Sequence, residues 1–201
     1  MPTAVKFFVR EGEQLIRKSL LFGIASIAAI SVTCILIFKL MTNGCIGISC
    51  VRERSFSVYE LDIPDTYFPN DSIINKLLPL SEPMGAQEAV NKTVYWGEHG
   101  IAVYNIHRFK SASRATSMLN ALKDDASRFR SHKDVNYTSQ KADQYFSGCG
   151  FSEFGGYRCA AFMRYEGLVV SLSARTDNQM TEEQFNQVAK FVDELLSQRY
   201  D

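Results

Sequence analysis

From Ser19 to Phe38 the chain reads SLLFGIASIAAISVTCILIF, twenty residues without a charge, bounded by Lys18 and Lys39. At about 1.5 Å of rise per helical residue the run crosses the roughly 30 Å hydrocarbon core of a bilayer. A core helix in a soluble domain of this size seldom stays uncharged for so long. The run therefore predicts one transmembrane helix, over 19–39. The overall composition of the 201 residues, 46% hydrophobic and 22% charged, conceals this helix, and only the distribution along the chain reveals it. A cleaved secretory signal has a shorter apolar stretch of about 7–15 residues, so retention is expected. Gly44-Cys45 would suit lipoprotein maturation, but Thr42 and Asn43 fit poorly where an aliphatic and a small residue are required.

Charge and cysteine placement give the expected orientation. Lys6, Arg10, Arg17 and Lys18 precede the run, whereas Lys39 is the only cation in the first dozen residues after it. The positive-inside tendency leaves the N-terminus in the cytoplasm and the C-terminal part extracytoplasmic. Cys34 lies in the span. Cys45, Cys50, Cys149 and Cys159 all fall on the outer side, in two sequence-local pairs that an oxidising compartment would permit to close as disulfides. Within the span, Gly23, Ala25, Ser26, Ala28 and Ala29 place small side chains where a neighbouring membrane helix can approach closely.

Residues 1–18 read as a cytoplasmic tail too short to be a domain. Residues 40–90 hold Gly44, Gly47, Gly85, Pro64, Pro69, Pro79 and Pro83 without a long periodic pattern. They read as a stalk and irregular approach segment, with a short helical turn near Ile73 to Leu78. The remaining residues, 91–201, suffice for one core. Thr93 to Gly97 and Gly100 to Arg108 form two strands around a turn. The second carries apolar groups on both faces and is expected to be central. Ala112, Ala115, Met118, Leu119, Leu122, Ala126 and Phe129 make an amphipathic helix, with Ser111 or Ser113 as its cap. The region from His132 to Gly156 is polar and glycine-rich. Tyr157 to Tyr165 and Leu168 to Arg175 form the clearest hairpin, turning at Glu166 and Gly167. A last helix opens with Thr181 and Gln184 at capping-box spacing and carries the stripe Phe185, Val188, Ala189, Val192, Leu195 and Leu196. The order strand-strand-helix-strand-strand-helix predicts an α+β domain, a mostly antiparallel sheet with two packed helices covering one face.

No arrangement of catalytic groups emerges. His99, His107 and His132 lack a metal-ligand spacing, and HExxH is absent. Cys149 and Cys159 are separated by nine intervening residues, unlike the spacing of thiol-exchange pairs, and read as structural. Gly148, Gly150, Gly155 and Gly156 lack the context of a phosphate loop, and no GxSxG elbow occurs. No metal or cofactor site is predicted. Asn91 and Asn136 begin glycosylation-type sequons. From residue 40 onward there are 17 basic and 20 acidic side chains, a net charge of −3, which gives a nucleic-acid role no electrostatic footing. Phe151, Phe154 and Tyr157, in or beside the glycine-rich loop, are candidates for partner contact. The expected partners are the lipid bilayer and other membrane protein subunits. The sequence therefore favours a non-catalytic accessory or structural subunit of a membrane complex, with a membrane-anchored sensor or small-ligand-binding module as the alternative.

Overall fold

The computed structural model describes residues 23–41, 50–81, 85–126, 133–134, 137–151, 156–176 and 179–200. The chain divides into two units, Met1–Ile46 and Gly47–Asp201. In the first, helix α1 (Gly23–Met41) has a mean hydropathy of 2.3 and is solvent-exposed along its whole length. It is long and apolar enough to cross a membrane. The Ser31 and Thr33 hydroxyls donate to the carbonyls of Ile27 and Ala29, at 2.9 and 2.8 Å. Each hydroxyl thus has a partner within the helix, where lipid offers none.

The second unit is an α+β domain built on an antiparallel sheet. Its strands are β1 (Ile73–Ile74), β2 (Leu78–Pro79), β3 (Glu88–Trp96), β4 (Gly100–Arg108), β5 (Lys133–Asp134), β6 (Gln144–Phe151), β7 (Tyr157–Tyr165) and β8 (Leu168–Arg175). The spatial order is β1-β3-β4-β8-β7-β6-β5, with β2 also on β3. Helices α2 (Ala112–Ala126) and α3 (Glu182–Tyr200) complete the domain. β4 lies between β3 and β8, the central position its two apolar faces predict. Between β3 and β4 the chain turns over Trp96, and a Cβ on Gly100 would lie 2.1 Å from the indole nitrogen, so only glycine lets the turn close there.

The two helices lie on opposite faces of the sheet, not on one. Side chains alternate along a strand, and β7 sorts accordingly. Cys159, Ala161, Met163 and Tyr165 join the core beneath α3, with Phe185, Val188, Ala189, Val192 and Leu196 of that helix. Ala160 and Phe162 join a smaller core with Ala115 and Leu119 of α2. Both helices open as their sequences predict. The Thr181 Oγ1 accepts from the Gln184 amide at 3.2 Å while the Gln184 side chain accepts from the Thr181 amide at 2.8 Å. The Ser111 hydroxyl accepts from the Arg114 amide at 3.4 Å.

The segment read as a stalk, 40–90, belongs to the folded unit from Gly47 onward. Phe56, Val58, Leu61, Ile63, Phe68 and Leu77 are buried in the main core beside α3. Two short 3-10 turns, Val58–Leu61 and Asp65–Tyr67, carry the chain across the sheet. Two side chains hold it there. The Tyr104 hydroxyl donates to the Leu61 carbonyl at 2.9 Å. The buried Lys92 Nζ donates to the Ile63 carbonyl at 2.7 Å, to Asp62 at 2.9 Å and to Asp65 at 3.3 Å, so its three protons meet three acceptors. The helical turn expected near Ile73 to Leu78 is replaced by β1 and β2, which pair with β3. Pro79 is tolerated at that sheet edge, where a missing N–H costs no ladder bond.

The glycine-rich stretch before the hairpin contains an unforeseen strand, β6. It pairs with β7 so that Cys149 faces Cys159, and the predicted disulfide joins them. The bridge is a cross-strand clasp inside a β-hairpin rather than a loop closure ahead of one. Cys50 is also disulfide-bonded, and its predicted partner Cys45 lies outside the described residues, as do Phe129, Asn136 and Phe154. Cys34 is free.

Asp193, 3% exposed in the middle of α3, accepts hydrogen bonds from the hydroxyls of Tyr137 (2.7 Å), Ser139 (2.7 Å) and Tyr165. Burial, reinforced by these bonds to the carboxylate, raises the pKa of Tyr137 and Tyr165, so both remain donors. The cluster ties the segment before β6 to α3. Tyr165→Phe removes one donor from a buried carboxylate and should destabilise the domain by about 1–3 kcal/mol, measured by urea unfolding.

His107, 4% exposed on β4, stacks against Phe109 with ring centroids 6.3 Å apart, and its Nδ1 has no hydrogen-bond partner among the described residues. Burial lowers its pKa, so the folded chain holds it neutral while the unfolded chain protonates below about pH 6.5. Stability should accordingly fall as the pH drops from 7 to 5, by no more than about 1.4 kcal/mol per pH unit from this one group. Unfolding midpoints of His107→Phe across that range should depend less on pH than those of the wild type.

Candidate functional site

The face of the sheet under α3 is covered by the helix and the 56–77 segment. The other face is covered only in part. α2 lies over Ala160, Phe162 and Val169, near the β7–β8 turn. Beyond it, towards the β3–β4 turn and β1, no described element covers the sheet, and this is its open side. The register brings Ile73 opposite Tyr95 and Tyr95 opposite Ile101 on this open side. Leu78 faces Asn91 on the same side. Ile73 is 70% exposed, Leu78 59% and Tyr95 45%, while Ile101 and Val103 are half-buried. Solvated apolar side chains thus continue across β1–β4, whereas scattered single ones need no explanation.

Next to this apolar stripe runs a polar ladder. The Asn91 Nδ2 donates to the Asn105 Oδ1 at 2.6 Å, and the Asn105 Nδ2 donates to the Ser171 Oγ at 3.3 Å. The Thr93 hydroxyl donates to the Asn91 Oδ1 at 3.0 Å. The side chain of the first sequon asparagine is therefore engaged within the sheet, poorly presented for glycosylation.

At the end of the sheet where β6 meets β7, Phe151 is exposed and packs edge-to-face on Tyr157, with centroids 5.2 Å apart. Tyr157 is half-buried, and its pKa is raised by burial and by a hydrogen bond to Glu182. Of the three aromatic residues proposed for partner contact, Phe151 is presented to solvent and Tyr157 supports it. One residue further along β7, on the open face, Arg158 stands opposite Arg175 of β8.

The helix-packing residues of α1 do not share one face. At about 100° per residue, Ala25, Ala28 and Ala29 cluster on one side, Ser26 flanks them and Gly23 falls away. A Cβ on Gly23 would meet nothing within 4 Å. Ala25 and Ala29 are one helical turn apart, the small-xxx-small spacing that permits close backbone approach in lipid.

A cleft of about 440 Å³ opens beside Lys92, lined among others by Tyr59, Asp62, Asp65, Asn75 and Lys76. Among the described residues no group of three or more His, Cys, Asp and Glu is placed to hold a metal ion. Sequence reasoning missed the open apolar quadrant and the arginine pair because both depend on strand register. The alternation of β4 hinted at the former, since Ile101 and Val103 sit opposite the buried Ala102 and Tyr104.

Among solved structures the chain is similar to the extracellular domain of PknH from Mycobacterium tuberculosis, with a TM-score of 0.37 and 11% identity over 74% of this chain and 100% of that one. At that distance the likeness gives no residue of this chain a role. No family model and no curated protein matches the chain.

Proposed function

We propose that the protein is a non-catalytic accessory subunit of a membrane complex. In this reading α1 holds it in the bilayer with the N-terminus cytoplasmic, and the α+β domain, on the extracytoplasmic side, docks on a partner subunit. The observation that carries the reading is the quadrant of the sheet that no described element covers, where Ile73, Tyr95 and Ile101 stand in one row across β1, β3 and β4, with half-buried Val103 and exposed Leu78 on the same face. A sheet face of this kind is costly to leave in water and favourable to cover. Small residues on α1 supply a second, lateral contact, through Ala25 and Ala29. The cysteine bridge between β6 and β7 suits an oxidising compartment, and the charge asymmetry around the span suits an outer C-terminus.

The alternative, a ligand-binding sensor, draws on the cleft beside Lys92. Its cation is already matched by three acceptors, so the polar groups there need no ligand to satisfy them.

Native mass spectrometry after extraction in mild detergent should find the chain associated with a further subunit. Tyr95→Glu and Ile73→Glu should each weaken that association by about tenfold in Kd, a loss of roughly 1.4 kcal/mol, with an unchanged circular dichroism spectrum. Ala29→Leu should weaken association without affecting membrane insertion. A stable monomer from native membranes would shift the reading to the sensor. Protease added to right-side-out vesicles should degrade the domain and leave the anchor, and full protection would contradict the orientation.

A further inference from the structure

Antiparallel strands alternate between hydrogen-bonded and non-hydrogen-bonded residue pairs, and side chains come closest in the latter. The Thr176 amide donates to the Tyr157 carbonyl at 2.9 Å, which makes that pair the hydrogen-bonded one. The next pair inward is Arg158 opposite Arg175, of the non-hydrogen-bonded type, with Cβ atoms about 4.5–5.5 Å apart. Two permanently charged side chains therefore leave the same face of the sheet from directly opposite positions, where like charges are destabilising.

Four other arginines of the domain have carboxylate partners. Arg54 pairs with Glu166 at 2.6 Å, Arg108 with Glu88 at 3.1 Å, Arg164 with Asp143 at 3.0 Å and Arg199 with Glu60 at 3.0 Å. Among the described residues no carboxylate pairs with Arg158 or Arg175. The Arg158 Nε is shut off from solvent and has no hydrogen-bond partner among the described residues. Arg175 is held in place by Gly156, whose φ is +82° and whose missing Cβ would otherwise lie 2.8 Å from the Arg175 Nε. Both arginines are half-buried. The β4–β8 register, in which Ala102 faces Ala174, puts Ile101 next in line beside Arg175, so the cationic pair adjoins the apolar stripe of Tyr95 and Ile101.

We propose that Arg158 and Arg175 form an oxyanion site that receives a carboxylate carried by the docking partner. The inference rests on the docking reading above and names the chemistry of that contact. Two planar forks of donors match the oxygens of one carboxylate, and the anion cancels the repulsion between them. The net charge of −3 from residue 40 onward opposes the approach of a polyanion, whereas a single carboxylate set among apolar groups suits a cationic pair bordered by Ile101 and Tyr95.

The test uses the full chain, purified in detergent and free of partners, with glutarate titrated against chloride at constant ionic strength. The Nε–H resonances of Arg158 and Arg175 should move saturably. The movement should vanish in R158Q and R175Q, and R158K and R175K should weaken binding by about tenfold, because they keep the charge and lose the fork. Without added anion and at low salt, R175Q should be no less stable than the wild type, since it removes a repulsion. Silent resonances, a response that persists in both glutamine variants, or a response to inorganic phosphate alone would overturn the proposal. Silence with Tyr95-dependent association intact would remove only the oxyanion site. A saturable response in a chain that is monomeric in native membranes would instead remove the docking reading, and with it the partner as the source of the carboxylate.

Discussion

The domain depends on the pairing of β4 with β8. One hairpin, β3–β4, precedes α2, and the β6–β7–β8 meander follows it. Only the register from Ala102 opposite Ala174 to Arg108 opposite Leu168 joins these halves into one sheet. The seam aligns Ala102, Tyr104 and Ile106 with Ala174, Leu172 and Val170, and that row is the floor on which α3 packs. On the other side it aligns Asn105 with Ser171 and His107 with Val169. A slip of one residue would exchange these two sets and expose the floor.

The two faces that the seam creates are covered unequally. On one, α3 and the 56–77 segment exclude water, and the polar groups that enter, Lys92 and Asp193, find partners for every charge they carry. Their role is positional, since Lys92 holds the incoming chain and Asp193 the segment before β6. On the other face α2 covers one end, and the remainder presents Tyr95, Ile101 and the Arg158–Arg175 pair. An isolated domain gains nothing from an apolar stripe in water beside two like-charged side chains that no described carboxylate pairs with. A domain that docks gains from both, because the apolar residues supply affinity and the charge selects the partner.

Much of this was legible where a local pattern carries the information. The capping box at Thr181 and Gln184, the β7–β8 alternation and the apolar periodicity of α2 and α3 are each set within a few residues. β6 was hidden because Gly148 and Gly150 depress strand propensity, and only pairing with β7 reveals the row of Tyr145, Ser147 and Cys149. The approach segment was hidden for another reason. Phe56, Val58, Leu61, Ile63 and Phe68 follow neither a helical nor a strand period, because 3-10 turns and extended backbone alternate there. The placement of α2 and α3 on opposite faces follows from β7 being apolar on both sides, a feature that its sequence YRCAAFMRY contains but that the reading of one face passed over. The arginine pair and the stripe of Ile73, Tyr95 and Ile101 are products of register between strands, which no local pattern specifies.

The central claim is that the open quadrant of the sheet is covered when the protein is in its membrane. Hydroxyl-radical footprinting of Tyr95 and Phe151, compared between native membranes and the purified chain in detergent, measures this directly. Tyr95 should be protected in membranes and labelled after purification. Equal labelling of Tyr95 in the two states, under conditions where exposed Tyr59 is modified in both, would contradict it.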